Sequence, residues 1–490
     1  LYTYMYTHPG KKLNFMGNEI GQFREWDEEK ECDWMLLDYP KHQDFHRFIK
    51  DLNQIYINEP AFFNGDYNSA NFRWIEVEAV EERVYIYERM CGEDHFIIVL
   101  NMSDEQYNDF EFGYDHYAVL HEVLSGERKE YGGYFTCLDR KGNVFDTDKF
   151  IWLQGREVWL FSMLYNKVEK RQEWLDCAIQ GGEFLKKYGH DGNYNWYFSL
   201  DRTGRPLVEP YNIFSYTFAV MAFGQLSLAT GNQEYADIAM KTFDIVLSKT
   251  NNPKGKWNKL YPGTRDLKNF ALPMILCNLA MEIEHLLDKG CLEKTMEVCI
   301  HEVMEVFYRP ELGGIIVENV LANGELSDSF EGRQVTPGHD IEAMWFIMDL
   351  GKRLNRPDLI EKAKNITLTM LDYGWDKEFG GIYYFMDRKG CPPQQLEWDQ
   401  KLWWVHIETL ISLLKGYQLT GDKQCLDWFE KVHEYTWSHF KDNEYPEWYG
   451  YLNRRGEVLL PLKGGKWKGC FHVPRGLYQC WQILEDITKV

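Results

Sequence analysis

Gly381-Ile382-Tyr383-Tyr384-Phe385-Met386-Asp387-Arg388-Lys389-Gly390 is a short run of aromatic and β-branched residues that ends on an Asp-Arg-Lys-Gly turn. The same pattern stands at Gly133-Tyr134-Phe135-Thr136-Cys137-Leu138-Asp139-Arg140-Lys141-Gly142 and at Trp196-Tyr197-Phe198-Ser199-Leu200-Asp201-Arg202-Thr203-Gly204. It returns as Gly314-Ile315-Ile316-Val317 ending at Asn323-Gly324, and as Trp448-Tyr449-Gly450-Tyr451-Leu452-Asn453-Arg454-Arg455-Gly456. Strand-forming residues closed by such a turn read as a hairpin. The turn residues Asp139 and Asp201 are 62 apart, Asn323 and Asp387 64, and Asp387 and Asn453 66. The gap of 122 between Asp201 and Asn323 holds two periods, so a degenerate copy is expected near the Gly- and Pro-rich stretch Lys254 to Thr264.

Between the hairpins the text reads as helix pairs: Tyr216 to Ala229 with Glu234 to Leu247, Glu342 to Leu354 with Leu359 to Leu371, and His406 to Leu419 with Gln424 to Phe440. The turns Thr230-Gly231-Asn232 and Thr420-Gly421-Asp422, and the break at Pro357, are helix punctuation. A unit of this kind cannot bury its apolar faces alone, and six of them closed into a ring leave no exposed terminal repeat. Residues 132–490 therefore read as an (α/α)6 toroid, mainly α, with the hairpins and loops at one mouth of a funnel.

Ahead of residue 131 the text changes. Pro40 to Ile57 is one amphipathic helix, with Phe45, Phe48, Ile49, Leu52 and Ile55 at helical spacing. Val84 to Tyr87, His95 to Leu100 and Tyr117 to Leu120 read as strands of an antiparallel sheet. The 490 residues carry a formal net charge of −22, which argues against nucleic-acid and anionic-membrane partners. No run approaches the roughly 20 apolar residues that span a bilayer. Eleven cysteines without a C-x-x-C pair fit reduced thiols in a cytoplasmic protein.

Four strings can carry chemistry. In Gln334-Val335-Thr336-Pro337-Gly338-His339-Asp340-Ile341-Glu342, Thr336 is a candidate N-cap and Pro337 fits the first helical position, so His339 and Glu342 share one helix face. The helix dipole is expected to keep His339 neutral, as a base requires; the alternative is a packed capping histidine. Phe471-His472-Val473-Pro474-Arg475, after the glycine-rich Lys463 to Gly469, offers an acid/base and an anion stabiliser, or a core histidine beside a surface ion pair. Gln395 to Glu408 joins carboxylates, tryptophans and a histidine, as a sugar ring needs, or as a helix with core tryptophans would. Trp152-Leu153-Gln154-Gly155-Arg156 offers Arg156 to a sugar oxygen or to a salt bridge. Metal-ligand spacings and dinucleotide fingerprints are absent from the text.

In order along residues 132–490, the strings GGYFTCLDRKG, WLQGR, GRQVTPGHDIEAMWF, QLEWDQKLWW and KGGKWKGCFHVPR resemble the N-acylglucosamine 2-epimerase family, whose animal members are also called renin-binding proteins. The resemblance implies an (α/α)6 barrel that interconverts N-acetylglucosamine and N-acetylmannosamine by ring opening and proton exchange at C2. No redox cofactor or metal is implied, and some members are activated by ATP. By position, His339 and His472 match the family's acid/base histidines, and Arg156, Glu342, Glu397, His406 and Arg475 match its active-site positions. Trp398 and Lys401 join them as expected substrate contacts. A monosaccharide is the expected ligand and a homodimer the expected assembly.

Residues 1–131 resemble the C-terminal end of glycogen branching enzymes through YMYTHPGKKLNFMGNEIGQFREW, CDWMLLDYPKH and EVLSGERKEYGG. This implies a barrel remnant over 1–57 and an incomplete β-sandwich over 58–131, without the carboxylates that branching needs. The toroid is expected to lack its first outer helix. Glu130-Tyr131-Gly132-Gly133 is compatible with both families and marks the expected crossover between them. The alternatives are a mannose, glucose or cellobiose 2-epimerase of the same fold, a glycoside hydrolase working through Asp340 and Glu397, and a non-catalytic carbohydrate-binding chimera.

Overall fold

The computed structural model describes the chain apart from residues 65, 106, 108, 109, 116–122, 125–131, 211, 258–260, 262 and 490, and the side chains of Pro40 and Asp44. Two compact units divide it, Leu1–Glu130 and Tyr131–Val490. In the first, helix α1 (Pro40–Asn58) accompanies an antiparallel sheet of β1 (Phe72–Glu76), β2 (Val84–Cys91) and β3 (Asp94–Asn101), in that order. Tyr87 of β2 pairs with Trp74 and Ile98 on its two sides and packs in the core with Phe62 and Leu100. Buried Arg89 is held by the Thr7 carbonyl and Asp66, each at 2.6 Å. The expected strand at Tyr117–Leu120 and the Glu130-Tyr131 junction lie outside the described residues.

The second unit is the toroid. Its inner helices are α2 (Ile151–Lys167), α4 (Phe214–Thr230), α6 (Ala271–Glu282), α8 (Pro337–Arg353), α10 (Trp403–Thr420) and α12 (His472–Thr488). Its outer helices are α3 (Gln172–Tyr188), α5 (Gln233–Ser248), α7 (Lys289–His301), α9 (Pro357–Gly374) and α11 (Lys423–His439). Some inner helices are buried nearly all round: in α4 every residue from Ser215 to Ser227, in α10 every residue from Trp403 to Gly416, whereas α12 buries one face and exposes Leu477, Trp481 and Leu484. Outer helices bury one face, as helices with water on the other side must. Asn232 and Asp422 cap α5 and α11 by accepting the N–H of Glu234 and Gln424, so both turn strings act as read. Thr336 sits at the N-cap position of α8 without a side-chain capping bond; its hydroxyl accepts from Gln334 instead.

The hairpin turns explain the repeat. Asp139 Oδ1 accepts the N–H groups of Lys141 and Asn143, and Asp201 Oδ1 accepts those of Thr203 and Arg205. The arginine after the turn acid reaches a neighbouring repeat: Arg454 donates to Asp376 at 3.0 Å, and Arg140 clasps Asp442 with two bonds of 2.9 Å. Arg140–Asp442 joins the first hairpin to the last repeat, beside the backbone bond from Lys463 N–H to Leu138 carbonyl and the Trp152–Trp467 ring contact. These contacts close the ring. The degenerate copy expected near Lys254–Thr264 is not a hairpin among the described residues. Leu267–Asn269 supplies the strand there and pairs with Asn319–Leu321 across the repeat boundary.

Gly155 lets the two inner helices α2 and α4 touch, because a Cβ there would lie 2.7 Å from the Phe218 carbonyl oxygen. Gly155→Ala forces backbone apart in a filled core, and the expected cost is about 1–3 kcal/mol, read from the midpoint of urea unfolding. An unchanged midpoint would show that the helix contact relaxes freely.

Candidate active site

The N-termini of the inner helices open on one mouth, and four of them build a polar bowl. α8 begins Pro337-Gly338-His339, which puts His339 in its first turn and Glu342 one turn further on the same face. α12 begins at His472, with Arg475 three residues later. Between them α10 presents Trp404 and, one turn on, Glu408. Both histidine rings pack beside the Trp404 indole, His339 at 5.4 Å and His472 at 5.9 Å between centroids. Gly338 is required here: a Cβ would lie 2.7 Å from the Trp404 ring.

Arg475 forms the floor. Its guanidinium donates to Glu342 at 2.5 Å and Glu408 at 2.6 Å, and all three side chains are buried. The other Glu408 oxygen accepts the Trp345 indole N–H at 2.9 Å. Each histidine meets a carboxylate through Nδ1: His472 faces Glu408 at 2.8 Å and His339 faces Glu318 at 3.0 Å. Glu342, Glu408 and His472 bring ligand-type atoms within 4.8 Å of one another. Arg475 already occupies both carboxylates, so this donor set suits a guanidinium rather than a metal cation.

Arg156 on α2 differs from Arg475. Its guanidinium lies 4.1 Å from the Phe218 ring and 4.9 Å from the Phe471 ring, and among the described residues no carboxylate bonds it. Burial, with the Arg475 charge nearby, draws its pKa down to about 9. Burial and the Arg156 charge push His472 well below the usual histidine value. Burial also opposes a charge on His339, but the Glu318 carboxylate outweighs it and raises that pKa. The Glu318 carboxylate at hydrogen-bond distance thus favours the charged form of His339 against the helix dipole, and burial favours the neutral form of His472.

The structure brings His339, His472, Arg156, Glu342 and Arg475 together, and leaves other expected residues outside. The histidines stand on α8 and α12 with α10 between them, so they flank one tryptophan rather than face each other across the full ring. His406 is fully buried; its Nδ1 meets the Leu402 carbonyl at 2.7 Å, its Nε2 accepts the Ile382 N–H at 3.2 Å, and it stacks on Tyr435. Lys401 is sealed in an ion pair with Asp376 beneath the Tyr383 ring. Neither has a free polar atom for a sugar. Glu397 is exposed and Trp398 half-buried against Tyr383; the charge of Glu397 reaches Tyr384, whose ring packs edge-on to Trp404 at 6.2 Å. Asp340 is buried with both oxygens unbonded, and burial holds its pKa well above the carboxylate range, so it cannot serve a hydrolase as an accessible carboxylate. Trp404 and Glu408 lie in the Gln395–Glu408 string with no role of their own assigned, and Glu318 and Trp345 lie outside the four strings. The signal for Glu408 was its spacing of one turn from Trp404; for Glu318 it was an acid inside an apolar hairpin run.

Six inner helices around two neighbouring imidazoles, a buried guanidinium that no carboxylate bonds among the described residues, and aromatic walls define an (α/α)6 toroid. Residues 133–474 match the family model described as N-acylglucosamine 2-epimerase, and residues 74–161 match that of the alpha amylase C-terminal all-beta domain. The chain belongs to the N-acylglucosamine 2-epimerase family. It is 40% identical over 370 residues to the N-acylglucosamine 2-epimerase of Mus musculus, covering 74% of this chain and 88% of that one. It is 41% identical over 145 residues to a 1,4-alpha-glucan branching enzyme of Clostridium perfringens, covering 29% of this chain and 21% of that one. Among solved structures, a cellobiose 2-epimerase from Bacillus thermoamylovorans shares the fold with a TM-score of 0.62 at 21% identity, over 74% of this chain and 94% of that one.

His406 generates a pH prediction. Burial holds its folded pKa near 3, against 6.5 as the ordinary value. The unfolded chain therefore binds a proton that the folded one refuses, and stability is complete above 6.5 and falls as pH drops from there towards about 3. Thermal midpoints measured across that window should decline, and His406→Asn should flatten the decline. An equal slope in the variant would assign the loss to other groups.

Proposed function

We propose that the chain is a sugar 2-epimerase that interconverts N-acetylglucosamine and N-acetylmannosamine. One observation carries the mechanism: His339 and His472 both pack beside the Trp404 ring, each anchored through Nδ1, so that Nε2 of each is left for a ligand. Family membership and relatives named for this reaction support the substrate.

Inversion at C2 requires loss of a proton next to a carbonyl, and a closed pyranose offers none of useful acidity, so the ring opens first. One imidazole then removes the C2 proton and the other returns a proton to the opposite face. The charge that develops on oxygen needs a donor already in place, and Arg156, which no carboxylate bonds among the described residues, supplies one. Trp404 and the surrounding aromatic faces seat the apolar side of the sugar. The solved structures of similar fold are named for cellobiose and mannose as well, and the same C2 chemistry would serve those sugars.

Incubation with N-acetylglucosamine, N-acetylmannosamine, mannose and cellobiose in deuterated water tests the reading, because turnover places label at C2 of the substrate accepted. His339→Asn and His472→Asn should each lower epimerisation by about 10²–10⁴-fold with the thermal midpoint retained. Turnover persisting in both variants would reject the assignment. Label appearing only in mannose or cellobiose would transfer the mechanism to that substrate.

A further inference from the structure

The two histidines are not equivalent, although each gives Nδ1 to a buried carboxylate. Glu408, behind His472, is shared: Arg475 donates to the same oxygen at 2.6 Å, and Trp345 to the other at 2.9 Å. Glu408 thus already bonds a guanidinium, which it shares with Glu342. Glu318, behind His339, is 4% exposed, and its remaining bond is from the neutral Asn269 amide at 3.1 Å. Among the described residues no lysine or arginine bonds Glu318. A buried carboxylate without a cation is costly, and the imidazole at 3.0 Å is the group placed to neutralise it. The other groups facing His339 are Glu342 on its own helix, the neutral Asp340 next to it, Trp404 from α10 and His472 beyond.

We propose that Glu318 is a positioning residue that makes His339 the proton donor of the resting enzyme and leaves His472 as the proton acceptor. This rests on the two-histidine reading above. In the forward step the C2–H bond breaks, its proton goes to His472 Nε2, and its electron pair enters the enediolate. His339 Nε2 then gives its proton to the other face of C2. His472 ends charged and His339 neutral, and exchange with water restores the resting state. The resting enzyme thus processes the epimer whose C2–H faces His472, and the other epimer reacts with the inverted proton state. The directions of both histidine pKa values agree with this order.

Nitrogen-15 spectra of the full chain labelled at histidine test the proposal, with His339→Asn and His472→Asn used to assign the two rings. In the wild type, His339 should titrate above the ordinary 6.5 and His472 below it. Glu318→Gln, which keeps the hydrogen-bond acceptor and removes the charge, should bring His339 down and, as that neighbouring charge is lost, let His472 rise. In the same variant kcat should fall about tenfold or more with KM little changed, and the pH-profile limb of His339 should move to lower pH. Glu318→Asp should recover part of the loss. A wild-type His339 that titrates at or below His472 overturns the proposal, whether or not the variants fold. So does a folded Glu318→Gln enzyme with the wild-type pH profile. Absence of C2 exchange with every sugar would sink the epimerase reading alone, since the spectra require no turnover.

Discussion

A single guanidinium holds the bowl together. Arg475 of α12 bonds Glu342 of α8 and Glu408 of α10, so one buried cation ties three consecutive inner helices. Burying one of these charges alone would be strongly unfavourable; together they satisfy each other, and removal of any member leaves an uncompensated charge in the interior. The consequences spread outward. With Glu408 fixed by Arg475 and Trp345, His472 has a fixed acceptor for Nδ1, and its ring is held beside Trp404. The catalytic geometry therefore follows from an interaction that touches no substrate in the proposed mechanism.

The same charge arithmetic distinguishes the two arginines of the bowl. Arg475 is neutralised twice over and serves structure. Arg156, walled by Phe218, Phe471 and Trp152, bonds no carboxylate among the described residues and feels Glu342 and Glu408 only at longer range, and the proposed mechanism gives it the oxyanion. Its positive charge also suppresses protonation of His472. Further around the ring, Glu318 has the opposite effect and favours protonation of His339. The two imidazoles thus differ in their leaning towards the charged form because their neighbours differ.

Much of the architecture was legible in the repeat. The turn residues Asp139, Asp201, Asp387 and Asn453 mark the period because the side-chain oxygen of each bonds the backbone of its own turn, a local requirement that leaves a local signature. Arg140 and Arg454 recur after those acids because each reaches a carboxylate in an adjacent repeat. The bowl was less legible. His406 and Glu408 are two residues apart, and on a helix that separation turns them to nearly opposite sides. Chemistry drew the eye to the imidazole, yet Glu408 faces the bowl and His406 faces Tyr435 and Phe440 of the outer layer. Lys401 misled for a similar reason: a lysine beside tryptophans suggests a ligand, but Asp376, 25 positions earlier, takes its charge.

The sequence by itself determined the helix pairs, their period, the closed ring and the strings that hold His339, His472, Arg156 and Arg475. Those features rest on local rules of spacing, capping and turn chemistry, which act over a few residues and can be read in order. Which side chain is charged, which is buried in a completed ion pair and which faces the cavity was decided only by the tertiary structure. Arg475 meets Glu342 across 133 positions and His339 meets Glu318 across 21, and the energy of a buried charge depends on neighbours that only the closed ring brings near.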